Sequence, residues 1–196
     1  MNKFVTVLLL SFTLFLSGCN ASNFITDSEH FESAFNKEEE KSEQEYNRIT
    51  VPVTRVIDGD TIRVEINGTE ERIRFLLIDT PEMNHGNYEE PQPFGEEATK
   101  FVEDMLKGGE VELELDVSER DRYGRILAYL YVDGESVQEE LLRNGLARVA
   151  YIFPPNTRYV DNFLAIQEEA KNEGIGIWSI ENYAQDDGFY PENDTE

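Results

Sequence analysis

Apolar positions alternate with polar ones through the first half of the chain and recur at helical spacing later. Val51 to Ile57 is rich in β-branched residues. Ile62, Val64 and Ile66 then alternate with Arg63 and Glu65, the period of a half-buried strand. Asn67-Gly68 is a type I′ hairpin signal, so Glu71 to Ile78 reads as the returning strand. Its end, Phe75 to Ile78, is apolar on both faces, which predicts deep burial. Val111, Leu113 and Leu115 alternate with glutamates, and Arg125 to Val132 makes a fifth strand that stops at Asp133-Gly134. Helical spacing appears in Phe94, Ala98, Phe101, Val102, Met105 and Leu106, closed by Gly108-Gly109. Ser136 with Glu139 forms a candidate capping box for a second helix carrying Val137, Leu141 and Leu142, stopped by Asn144-Gly145. Asn156 or Thr157 is the expected cap of a third, with Val160, Phe163, Leu164 and Gln167 on one side and Gly174 at its end. A meander of strands with helices added late argues an α+β domain, with a small barrel as the leading option.

The ends of the chain follow other rules. Residues 1–18 read as a signal peptide: Lys3, then an apolar stretch from Phe4 to Leu16. That stretch is shorter than the ~20 residues a membrane-spanning helix needs. Leu16-Ser17-Gly18-Cys19 resembles the bacterial lipobox, in which the cysteine after the cut carries lipid. A plain signal peptide with a chance cysteine is the alternative. Cys19 is also the single cysteine of the chain, which excludes an intrachain disulfide framework and a Cys-rich zinc site. Residues 19–50 then read as the lipidated Cys and an acidic tether, although a short helix around Phe31 and Phe35 is an alternative. Residues 181–196 hold six acids and no base and read as a disordered acidic tail. The domain proper is placed at 51–180.

Charge narrows the function. The formal net charge is −24, and residues 51–180 alone hold 13 basic and 27 acidic side chains. A basic nucleic-acid coat of the usual kind is excluded, but a site needing only local positive charge is not. Three clusters carry candidate chemistry. Asp58-Gly59-Asp60-Thr61 lies between two strands and has a bland reading as an Asp-Gly turn. The stretch from Arg74 to Glu82 is an apolar strand that starts with Arg and ends in two acids, Asp79 and Glu82. Carboxylates at a buried strand end mean either a metal site or an ion-pair network. Asp121-Arg122-Tyr123-Gly124-Arg125 is a basic turn in an acidic chain, or a surface loop with compensated charges.

The parts fit one chemistry. Asp60 and Asp79 are hard oxygen ligands of the kind Ca²⁺ prefers. Glu82 can orient or deprotonate a water. Arg74 and Arg125 can clamp a phosphate through planar, charge-assisted hydrogen bonds. His30 and His85 stand alone and make a weak case for zinc or general-base work.

At this level of detail the chain resembles the thermonuclease (staphylococcal nuclease) family. The resemblance is carried by VIDGDT at 56–61, RFLLIDTPE at 74–82, DRYGRILAYLYVDG at 121–134, LLRNGLARVAY at 141–151 and Ile177-Trp178-Ser179. It implies a five-stranded OB-fold β-barrel with three helices. It also implies Ca²⁺-dependent hydrolysis of DNA and RNA to 3′-phosphorylated products. By the same pattern Asp60, Asp79 and the Thr80 carbonyl bind Ca²⁺, and Glu82 is the general base or positions the water. Arg74 and Arg125 bind the scissile phosphate, while Arg122, Tyr123 and Tyr151 line the nucleotide site. Two departures stand out. The loop Met83–Phe94, lysine-rich in the family's secreted form, here has Glu89 and Glu90 and no Lys, and Phe153 replaces a tyrosine.

The expectation is therefore a monomeric nuclease, lipid-anchored to the bacterial cell membrane and facing outward. The alternatives are a catalytically silent OB-fold module that binds nucleic acid or protein, and a surface Ca²⁺-binding or adhesion protein. One geometric condition applies. Arg74 and Asp79 are five apart, so strict alternation puts them on opposite faces. The strand must bulge, twist or end before Asp79 if both serve one site.

Overall fold

The structure is a computed structural model that describes residues 47–83 and 90–191. The expected signal peptide, Cys19, nearly all of the tether and His85 lie outside the described residues.

Five strands close a barrel. They are β1 (Arg48–Asp58), β2 (Thr61–Ile66), β3 (Thr69–Phe75), β5 (Glu110–Arg120) and β6 (Ile126–Val132). β1 pairs antiparallel with β2 and β5, β2 with β3, and β5 with β6. Parallel pairing of β3 with β6, Ile73 opposite Ile126 and Phe75 opposite Ala128, removes the last free edge. Inward-facing Ile62, Val64, Ile73, Phe75, Leu113 and Leu130 fill the interior. The β2–β3 turn has positive φ at both Asn67 and Gly68, as a type I′ hairpin requires. The fold is the α+β OB-type barrel with three helices.

The helices sit on this frame. α1 (Gly95–Met105) packs on β1, and α2 (Val137–Arg143) packs on β6. A short β7 (Glu135–Ser136) pairs antiparallel with β6, Ser136 caps α2 by accepting the Glu139 N–H at 3.3 Å, and Asn144-Gly145 ends it. The fully buried Gln138 behaves as a surrogate strand edge. Its Oε1 accepts the Leu130 N–H at 3.0 Å and its Nε2 donates to the Ala128 carbonyl at 3.1 Å. α3 (Val160–Glu173) starts later than Asn156 or Thr157 would place it. The Asn156 side chain is engaged elsewhere, accepting from the Ser118 N–H at 2.7 Å and donating to the Ser118 carbonyl at 2.9 Å. Leu164 also departs from expectation. It is exposed, and the buried face is Phe163, Ile166, Gln167 and Ala170.

Two short pairings matter for the site. β4 (Ile78–Asp79) pairs antiparallel with β8 (Arg148–Val149). β9 (Ala184–Gln185) and β10 (Gly188–Phe189) form a two-residue-loop hairpin inside the segment expected to be a disordered tail. The reason is apolar, not acidic: Tyr183 is fully buried and packs on Phe189 at 5.4 Å. Six acids dominate the composition of that segment, but the two rings order it through residue 191.

The turn between β1 and β2 has no spare room. A Cβ at Gly59 would lie 2.7 Å from Thr80 Oγ1 and 2.8 Å from the Ala98 Cβ. We expect Gly59→Ala to cost about 1–3 kcal/mol, because both neighbours are buried and closely packed. Gly108→Ala meets nothing within 4 Å and should change stability by less than about 1 kcal/mol. Urea denaturation of the two variants checks this, and equal midpoints would contradict it.

Candidate active site

Sequence and local geometry together explain how Arg74 and Asp79 reach one place. β3 ends at Phe75 instead of running on to Ile78. Leu77 adopts a left-handed backbone with φ 65, which resets the side-chain alternation before β4 begins. That conformation costs a leucine about 1–3 kcal/mol. It is held by burial and by hydrogen bonds on either side, from Leu76 N–H to the Ala128 carbonyl at 3.0 Å and from Ala150 N–H to the Leu77 carbonyl at 2.9 Å. Tyr151, the next residue after that second bond, is left-handed as well, with φ 54.

The result is a buried charge cluster. Asp60 and Asp79 are 5% and 7% exposed. Arg74 lies between them, with Nη1 2.5 Å from Asp60 Oδ2 and Nη2 3.5 Å from Asp79 Oδ1. Asp60 also accepts from the Thr61 hydroxyl at 3.0 Å and the Thr80 N–H at 3.2 Å. The second oxygen of Asp79 accepts from Arg148 Nη2 at 2.7 Å. Tyr151 roofs the cluster, its ring centre 5.3 Å from the Arg74 guanidinium.

Negative charge is in excess here. Burial, with the Asp60 and Glu82 charges added, pushes Asp58 up to about 7. Burial and Asp60 also raise Asp79, against the pull of Arg148 and Arg74. Burial opposes the charge on Arg74, but Asp60 and Asp79 outweigh it and its pKa rises. Glu82 is fixed through its backbone: its N–H donates to Gln92 Oε1 at 2.9 Å and its carbonyl accepts the Gln92 N–H at 2.9 Å. Among the described residues no three His, Cys, Asp or Glu side chains converge into a metal cage. The two carboxylates that do gather, Asp60 and Asp79, offer hard oxygens, and the Thr80 backbone adjoins them through its N–H.

Arg125 belongs to a second cluster, on the β5–β6 turn. Its Nε donates to Asp121 Oδ2 at 2.7 Å, and its N–H donates to Asp121 Oδ1 at 2.9 Å. Tyr123 lies over both arginines of the turn, 5.6 Å from Arg125 and 4.7 Å from Arg122. Arg125 immediately precedes β6, whose Leu127 pairs with Arg74 on β3, so the two arginines rise from neighbouring strands. Tyr123 and Tyr151 are 61% and 54% exposed. Phe153, 6.5 Å from Tyr151, continues that aromatic surface.

Two members were missed from sequence. Asp58 reads as half of a turn, yet burial and the Asp60 charge push it up to about 7. Arg148 stands in an apolar run, Leu146-Ala147-Arg148-Val149-Ala150. A lone charge in such a run signals a buried partner, and that was the available clue.

The raised Asp58 has a pH signature. Its folded value near 7 lies above the unfolded carboxylate value, so the folded state binds the extra proton. The stability it adds is present below about pH 4 and is lost as pH rises toward 7. We expect the metal-free protein, in EGTA, to lose on the order of 1–3 kcal/mol between pH 5 and 8, with Asp58→Asn flattening that slope. Denaturation midpoints across pH check this; parallel curves for the two proteins would refute it.

The comparison with known proteins agrees with this geometry. Residues 72–180 match the staphylococcal nuclease homologue family. The chain is 50% identical over 142 residues to the SPbeta prophage-derived endonuclease YokF of Bacillus subtilis (strain 168), covering 72% of this chain and 48% of that protein. It thus spans about half the length of that relative. It is 42% identical over 179 residues to Endonuclease YncB of the same organism, covering 88% of this chain and 84% of that protein. It is 38% identical over 156 residues to the Thermonuclease of Staphylococcus hyicus, covering 80% and 87%. With a closed barrel of the right topology and its acidic and arginine clusters on adjoining strands, the chain belongs to the staphylococcal nuclease family.

Proposed function

We propose that the protein is a Ca²⁺-dependent phosphodiesterase that cleaves DNA and RNA to 3′-phosphorylated products. We further propose that a lipid on Cys19 anchors it, as a monomer, to the outer face of the bacterial cell membrane. The observation that supports the catalytic reading best is the buried pair Asp60 and Asp79 with Arg74 between them. Two buried carboxylates, a raised Asp58 beside them and an all-oxygen donor set suit a hard cation of the Ca²⁺ type. Asp60, Asp79 and the Thr80 carbonyl would hold it. When bound, Ca²⁺ supplies neutralising charge and Lewis acidity at the phosphoryl oxygen.

The chain's own groups do the rest. Arg74 and Arg125 exchange their present carboxylate partners for oxygens of the scissile phosphate and stabilise the charge that builds there. Glu82 holds a water and takes a proton from it as the oxygen adds to phosphorus. The P–O5′ bond breaks and O5′ takes a proton from solvent, leaving a 3′-phosphate on one fragment and a 5′-hydroxyl on the other, while Glu82 returns its proton to solvent. Tyr151 lies over Arg74 and Tyr123 over Arg122 and Arg125, and these exposed rings can stack unpaired bases.

The catalytic reading predicts release of acid-soluble nucleotides from heat-denatured DNA in Ca²⁺ and none in EGTA. Arg74→Lys and Arg125→Lys should each lower kcat by about 10²–10³-fold, since a single ammonium cannot replace a two-point guanidinium clamp. Activity that survives EGTA, or full activity in both variants, would overturn it. The anchoring reading rests on the lipobox resemblance and predicts that Cys19→Ser leaves the enzyme active but moves it from the membrane fraction to the medium. A variant that stays with membranes as firmly as the wild type would remove lipidation as the anchor.

A further inference from the structure

Arg148 sits almost wholly out of solvent, which is costly for a full charge unless it is paired and hydrogen-bonded. It faces Asp79 across the β4–β8 pair, Cα opposite Cα. One terminal nitrogen donates to Asp79 Oδ2 at 2.7 Å. The other donates to the Asp186 carbonyl at 2.9 Å, in the turn of the β9–β10 hairpin. The guanidinium lies 5.4 Å from the Phe189 ring on β10. The hairpin is tied down in turn. The Tyr183 hydroxyl donates to the Pro93 carbonyl at 2.7 Å, just before α1, and the Tyr183 carbonyl accepts the Tyr190 N–H at 2.8 Å. None of these contacts closes the barrel, because β9 and β10 make a separate two-stranded sheet.

The two oxygens of Asp79 are therefore held unequally. Oδ2 is fixed from the C-terminal side by Arg148. Oδ1 meets Arg74 at 3.5 Å, a much looser contact than the 2.5 Å between Arg74 and Asp60. With Oδ2 satisfied, Arg74 can leave for a phosphate without stranding a buried carboxylate, and Oδ1 keeps a fixed direction. We propose that Arg148 is a positioning residue for Asp79, and that the hairpin Ala184–Phe189 is the part of the site that holds Arg148. This rests on the metal-ligand reading of Asp79 given above. Without Arg148, nothing competes with Arg74 for Asp79, the present 3.5 Å contact can tighten, and an incoming cation has to displace a guanidinium held closely by both carboxylates.

The sign of one measurement separates positioning from charge. Removing a positive charge near a cation site should tighten cation binding if charge alone matters. Removing a positioning group should weaken it. We expect Arg148→Met to weaken Ca²⁺ binding, by calorimetry on nucleic-acid-free protein, by roughly tenfold or more. It should lower kcat at saturating Ca²⁺ by a similar factor while KM for an oligonucleotide changes less than about threefold. Arg148→Lys should recover part of both losses. Phe189→Ala, at a half-buried position that is easier to tolerate, should shift both in the same direction by less, and thermal melting in EGTA reports whether each variant is folded. Unchanged or tighter Ca²⁺ binding in folded Arg148→Met overturns the proposal, and so does an unaltered Phe189→Ala if the methionine variant does not fold. A wild-type protein that binds no Ca²⁺ overturns the metal reading along with it. Wild-type binding with unaltered variants overturns this inference alone.

Discussion

Asp60 and Asp79 are almost closed off from solvent, and neighbouring carboxylates in so poor a dielectric repel one another unless cations stand between and behind them. Arg74 stands between and Arg148 behind. Much of the fold can be read as the means of keeping those four groups in register. Barrel closure through β3 and β6 fixes Arg74. The left-handed step at Leu77 turns Asp79 to the same side, and β8 brings Arg148 opposite it. Buried ion pairs of this kind add little net stability, but breaking one partner leaves a charge that the interior cannot accommodate. The arrangement thus specifies geometry more than it strengthens the domain.

The acidic body sets a second condition on the proposed activity. A polyanion approaching residues 51–180 meets an excess of 14 acidic side chains, yet exposed charges more than about 8–10 Å away are largely screened at physiological ionic strength. Contacts inside that radius decide binding. Arg122 and Arg125, the latter paired with Asp121, carry positive charge beside Tyr123, while Arg74 lies among carboxylates whose charge exceeds its own. A cation held by Asp60 and Asp79 would turn the most negative part of the cleft attractive, so metal and nucleic acid should favour each other's binding. Long-range repulsion then acts on encounter, and short-range arginine contacts act on the bound complex.

The sequence disclosed the frame and most of the site because both follow from local rules. Alternating Ile62, Val64 and Ile66, the Asn67-Gly68 turn and the Ser136 cap depend on near neighbours, and each was legible. The end of β3 was legible as a condition, since Arg74 and Asp79 could not otherwise share a site, but Leu77 as the residue that absorbs the turn was not. Long-range partners were the other blind spot. Asn156 reads as a helix cap until Ser118, 38 residues away, takes its side chain. The tail reads as solvated because its acids outnumber its rings, yet Tyr183 is buried against Phe189 and the hairpin is tied to Pro93 and Arg148 by hydrogen bonds. The apolar run around Arg148 signals a buried partner but not which one, since Asp79 is 69 residues distant in sequence.

The unfavourable features gather in one region. Leu77 and Tyr151 carry left-handed backbones, Gly59 tolerates no side chain, and Asp58 is driven toward protonation, all around the same pair of carboxylates. Left-handed Phe94, with φ 68, is a further exception at the start of α1, but the barrel interior is apolar, the hairpin turn has the residues its geometry needs, and Gln138 satisfies the backbone it covers. Strain of about 1–3 kcal/mol at each left-handed position persists only where the surroundings over-determine the conformation. Here the surroundings do so through the hydrogen bond that joins the two strained segments, from Ala150 to Leu77. That bond lies between the residue that redirects Asp79 and the residue that roofs Arg74. The Asp79 strand end and the aromatic roof are therefore mechanically one unit, and a change that relaxes either should displace both.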